Sequence, residues 1–123
     1  MTRDKAAVYS SMVATVDERG RLDMDMPDDI VIDTVVQTVA EAFNVSADDI
    51  LGDGRPENVV DARRAIAIVL SSLGYKVRTI SKALNRERTT AYNLLDTAKQ
   101  LLETDPSFRA KVFAASRAVW VMS

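Results

Sequence analysis

Two helices, each marked by an apolar stripe of helical period, are separated by only four residues in the stretch "KVRTISKALNRERTTAYNLLDTAKQLLE". Val77, Ile80, Ala83 and Leu84 mark two turns of one helix, and Ala91, Leu94, Leu95, Ala98, Leu101 and Leu102 mark a longer one. Side chains three and four apart share a face, so each stripe must be buried. With "NRER" as the only connection, the two helices must meet at an angle, the outline of a helix-turn-helix. This pair constrains the fold more than any other feature of the chain.

The neighbouring segments have the same period. Ile32, Val35, Val36, Val39 and Phe43 predict a first helix from Val31, with Asp29 or Asp33 near its start. In "VSADDILG", Ser46 is an N-cap candidate, Asp48 and Asp49 suit the positive end of a helix, and Gly52 supplies a stop. The loop "GDGRPEN" follows, with Asn58 as a cap for a third helix whose apolar face is Ala62, Ala65, Ile66, Val69, Leu70 and Leu73. Gly74 stands where a C-terminal cap belongs. "TDPSFRAKVFAASRAVW" predicts a closing helix, with Asp105 as N-cap, Pro106 at the first helical position, and Phe108, Val112, Ala115 and Val119 inward. The end "AVWVMS", including Trp120, is read as core in preference to interface. The expected fold is all-α, a bundle of five to six helices over residues 31–123. Residues 1–30 are expected to form an acidic N-terminal tail or a short hairpin about Gly20.

Composition narrows the chemistry. The 123 residues contain no cysteine and no histidine, which removes thiolate zinc sites, thiol nucleophiles and the commonest general base near neutral pH. Four glycines in no phosphate-cradling pattern leave no Walker-type loop. "LDMDMPDD" lacks the spacing and glycine of a calcium loop. Neither enzymatic chemistry, a cofactor nor a metal is expected. With no run of eighteen apolar residues and no basic-then-apolar start, no membrane association is expected, and a cytoplasmic, nucleoid-associated protein is.

The formal charge of −2 conceals an asymmetry. Residues 1–58 carry five Lys/Arg against thirteen Asp/Glu, whereas residues 59–99 carry eight against three. A basic block on an acidic chain can attract phosphate locally. Within it, the apolar stripe of the longer helix turns Thr89, Thr90, Asn93, Thr97 and Gln100 away from the core. Arginine can grip guanine with two donors, threonine can meet a thymine methyl or a phosphate, and asparagine can pair with adenine. By composition alone, a solvated helix start with threonine as cap accounts for the same residues.

The run from about Val35 to Leu102 resembles the C-terminal DNA-binding domain of the bacterial replication initiator DnaA, a Trp-repressor-like helix-turn-helix fold. "TVAEAFNVSADDILGDGR" is similar to its opening helices, "VVDARRAIAIVL" to its long third helix and "ISKALNRERTTAYNLL" to its helix-turn-helix signature. The resemblance implies that Arg86, Arg88, Thr89 and Thr90 lie in the major groove or on its phosphates, with help from Arg63 or Arg64. Together with Arg78 and Asn93, these residues make up the candidate DNA-binding set.

The chain departs from the family pattern where Asn85 replaces a glycine pair and where Glu87-Arg88 replaces aspartate-histidine. It departs again in the loop at Arg55, which has lost its basic partners, and at Asp96 and Thr97, where the family tends to be basic. These departures imply a different preferred sequence and weaker binding by a single copy, which a dimer or partner would offset.

The expected function is that of a small stand-alone, sequence-specific regulator of transcription, of the type that phage and phage-derived gene clusters carry. It would act on double-stranded DNA with RNA polymerase or a co-regulator, through the acidic N-terminal residues or the last helix. The alternatives are a replication accessory on initiator-like sites and a protein-interaction module that has given up DNA. The oligomeric state is left open by the sequence.

Overall fold

The computed structural model describes residues 28–122. The tail or hairpin expected over residues 1–30, and the apolar residues Tyr9, Met12, Val13 and Val16, lie outside this range except for residues 28–30. Six helices follow one another: α1 (Asp28–Phe43), α2 (Ala47–Leu51), α3 (Glu57–Ser72), α4 (Val77–Ala83), α5 (Arg88–Thr104) and α6 (Pro106–Met122). Among the described residues there is no strand.

The helix ends follow from local chemistry. Helices α1, α3 and α4 each stop at a residue with left-handed backbone: Asn44 (φ 57°), Gly74 (φ 97°) and Asn85 (φ 55°). After each, two amides turn back onto carbonyls that the helix would otherwise leave unpaired. Val45 N–H donates to Ala40 O at 2.9 Å, Tyr75 N–H to Leu70 O at 3.1 Å and Arg86 N–H to Ser81 O at 2.9 Å. These are Schellman closures, which glycine and asparagine accommodate best. At the opposite ends, the Asp49 amide donates to Ser46 Oγ at 3.0 Å, and the Phe108 amide to Asp105 Oδ1 at 3.1 Å. The caps expected at Ser46 and Asp105 are therefore formed.

Two boundaries differ from expectation. Helix α1 begins at Asp28, not at Val31, with Asp28 and Asp29 in its first turn, where carboxylates meet the positive end of the helix. Val31 takes the buried position and Ile32 is only half-buried. Helix α3 begins at Glu57, preceded by Pro56 and not capped by Asn58. A proline with φ −58° suits that place, because the amide it lacks would have no partner there.

Helix α3 is the central element and packs against all five others. Ala62, Ala65, Ile66, Ala67 and Leu70 are fully buried, and the alanines let neighbouring helices approach closely. Helices α1 and α6 close the far side. There the Phe43 and Phe108 rings meet edge to face with centroids 5.9 Å apart, and Lys111 Nζ lies 5.1 Å from the Phe43 ring centre. The C-terminal end divides by residue: Val119 is buried, Trp120 half-buried and Val121 exposed. No helix among the described residues is long and apolar enough to cross a membrane.

Candidate nucleic-acid interface

Helices α4 and α5 are joined by residues 84–87. The joint is fixed from within by Ile80, Leu84 and Ala91, all fully buried. Its path is set by Asn85, whose left-handed backbone redirects the chain immediately after α4. Helix α5 buries Ala91, Leu94, Leu95 and Ala98. Arg88, Thr89, Thr90 and Asn93 are consequently exposed on its first two turns, and Thr97 is half-buried one turn further on.

The N-terminus of α5 follows Glu87 and has no side-chain cap, unlike those of α2 and α6. A 17-residue helix thus presents its first amides, with the positive end of its dipole, beside exposed arginine and threonine. Such an end suits phosphate oxygens. On α4, Arg78 and Lys82 are both exposed one turn apart. Lys82 was absent from the sequence-derived set, although its i+4 spacing from Arg78 was a usable signal. Tyr92, 55% exposed beside Asn93, was also missed.

Arg63 requires a correction. It was expected as one of two possible DNA contacts, yet it is only 5% exposed. Its Nε donates to Ile50 O at 2.7 Å and one terminal nitrogen to Gly54 O at 2.7 Å. The other donates to Asp49 O at 3.0 Å and Gly52 O at 2.8 Å. Four carbonyls at the end of α2 and in the loop after it are thereby satisfied by one planar cation. Arg63 thus holds the loop and offers nothing outward. The signal lay in its spacing, since Val59, Arg63, Ile66 and Leu70 follow a single helical stripe.

Arg64 is half-buried at the edge of that face. Its guanidinium donates to Asp61 Oδ1 at 2.8 Å and lies 3.8 Å from Glu57 Oε2. Among the described residues, its Nε is buried without a hydrogen-bond partner. Arg86 also turns inward in part. It donates to Asn85 O at 3.0 Å and Leu84 O at 3.3 Å, and its other terminal nitrogen donates to Gly52 O.

Arg63 and Arg86 therefore share the Gly52 carbonyl, which ties the helix-turn-helix to the loop after α2. Burial lowers the Arg63 pKa, and the positive charges of Arg86 and Arg55 push it the same way, against Asp53 and Asp49. The candidate surface thus comprises an outward row on α5, two exposed cations on α4, and a loop that Arg63 and Arg86 brace from beneath.

A family model described as the bacterial dnaA protein helix-turn-helix matches residues 32–96, from the first turns of α1 to the middle of α5. No curated protein and no solved structure matches the chain. The match spans just over half of the sequence and ends within the helix whose exposed residues form the polar row. The chain accordingly belongs to the bacterial dnaA protein helix-turn-helix family, a DNA-binding domain.

Proposed function

We propose that the protein is a sequence-specific, double-stranded DNA-binding regulator of transcription that reads the major groove with the first two turns of α5. The observation that carries this reading is the exposed set Arg88, Thr89, Thr90 and Asn93 on an uncapped helix end. In this reading Arg88 and Asn93 meet base edges. Thr89 and Thr90 share base and phosphate contact, and the α5 amides, Arg78 and Lys82 hold the backbone. Arg64 flanks the same surface, and Arg86 reaches a phosphate by exchanging the Gly52 carbonyl for it. Arg63 supports the loop and contacts no DNA.

Regulation then requires a second surface. The exposed residues of α6 are available to RNA polymerase or a co-regulator, since they lie outside the family match and off the helix-turn-helix. A second reading is a replication accessory on initiator-like sites, favoured by the Thr89-Thr90 pair in the matched signature. Arg88 in place of the family's histidine favours a different target.

Sequencing genomic fragments retained by the protein at two salt concentrations, beside Arg88→Ala, tests the proposal. A regulator enriches one motif upstream of a few promoters, and the variant loses it. Enrichment of the initiator's own box would select the replication reading. Absence of any enrichment would reject DNA recognition by this surface.

A further inference from the structure

The first turns of α3 hold opposite charges in contact. Glu57, Asp61 and Arg64 stand at i, i+4 and i+7, on one face of the helix. A terminal nitrogen of Arg64 donates to Asp61 Oδ1 at 2.8 Å and lies 3.8 Å from Glu57 Oε2. The Asp61 and Arg64 side chains are 21% and 23% exposed, so water and salt screen their attraction only in part. Of the three acids in residues 59–99, Asp61 alone is ion-paired among the described residues.

That face lies beside the helix-turn-helix joint. Arg63, the preceding residue, and Arg86, within the joint, donate to the same Gly52 carbonyl. The second turn of α3 is therefore held next to the start of α5. Arg64 is placed to meet a phosphate oxygen there, yet its guanidinium already carries a carboxylate oxygen at charge-assisted hydrogen-bond distance. Its Nε is buried and has no hydrogen-bond partner among the described residues, so the pairing with Asp61 is not the two-pronged kind. A single-pronged pair is one that a phosphate can displace.

We infer that Asp61 is an intramolecular stand-in for a DNA phosphate, which holds Arg64 in the unbound protein and limits affinity for the DNA backbone. On the DNA-binding reading above, on which this rests, Asp61 weakens a contact that Arg64 would otherwise make. A phosphate that approaches Arg64 must either break the bond to Asp61 or bring a like charge against its carboxylate. The pair is neutral as a unit, so Arg64 displaces no DNA counterion while Asp61 holds it. With the carboxylate removed, Arg64 becomes one further phosphate contact, and the gain applies to every sequence.

Fluorescence anisotropy of the full chain on a mixed-sequence duplex, across salt concentrations, tests this. Asp61→Asn keeps the shape of the side chain and removes its charge. It is expected to tighten binding about tenfold at low salt and to steepen the logarithmic salt slope by about 0.9. Asp61→Asn combined with Arg64→Gln is expected to return to the slope of the unaltered protein, because the cation that would meet the phosphate is gone. Glu103→Gln, which removes an exposed acid near the far end of α5, is expected to leave the slope unchanged.

Steepening that persists without Arg64, or that Glu103→Gln reproduces, would overturn the inference in favour of general repulsion. Unchanged affinity and slope in Asp61→Asn would overturn it in favour of an ordinary helical ion pair. In both cases the unaltered protein still binds the duplex, and the regulatory reading stands. Absence of binding by the unaltered protein and by Asp61→Asn alike would overturn both.

Discussion

Arg63 and Arg64 are adjacent in the chain and have opposite roles in the fold. The first satisfies four carbonyls from the interior, and the second stands at the edge of an exposed surface. Lysine cannot replace Arg63, because one ammonium cannot serve acceptors spread along residues 49–54. Arg63→Lys is expected to lower unfolding free energy by about 1.5–3 kcal/mol, read as a lower denaturant midpoint at unchanged slope. Unchanged stability would mean that the loop does not depend on the guanidinium. Arg88→Ala tests the outward side. It is expected to leave the melting temperature unchanged and to cost about 1–3 kcal/mol of specific DNA binding, relaxing preference at one base pair. An equal loss on every sequence would assign Arg88 to phosphate.

At the scale of elements, the joint between α4 and α5 depends on Asn85 and on the buried stripe of α5. A β-branched side chain fits poorly in left-handed backbone, so Asn85→Val is expected to destabilise the domain by roughly 1–2 kcal/mol. Asn85→Gly should be neutral or slightly stabilising, because glycine needs no compensation there. Thermal unfolding of the pair separates backbone strain from side-chain loss. Leu95, 6% exposed, is expected to cost about 2–5 kcal/mol when replaced by alanine. An unchanged midpoint would mean that α5 is rotated from the orientation described. The elements were largely legible beforehand, since the apolar stripes, Ser46, Gly74, Asp105 and Pro106 act over one or two turns. The starts of α1 and α3 were not, because a helix can extend through acidic residues or from a proline without showing an apolar period.

At the scale of the molecule, the acidic first half and basic second half set how DNA is held. With Arg78, Lys82 and Arg88 exposed and Arg55 set among acids, few phosphates can be neutralised at once. The affinity of a single copy should fall with salt at a logarithmic slope of about −3 to −4, as a handful of counterions are released. Fluorescence anisotropy of a retained duplex across salt concentrations measures it. A slope near zero would remove the electrostatic basis of the proposed interface.

The sequence by itself determined an all-α bundle of five to six helices, the helix-turn-helix and the outward turn of Thr89, Thr90 and Asn93. All of these follow from apolar periods and end caps that act locally along the chain. The stripe Val59, Arg63, Ile66 and Leu70 can place Arg63 on the buried face of α3, but only the tertiary structure decided which groups Arg63 and Arg86 meet. Whether an arginine meets water or four carbonyls depends on which loop folds over it, and the carbonyls that hold Arg63 come from residues nine to fourteen positions away. The Gly52 carbonyl that Arg86 shares lies 34 positions away. No period along one helix encodes contacts of that kind, because they arise when separate elements bring unpaired backbone groups and side chains together.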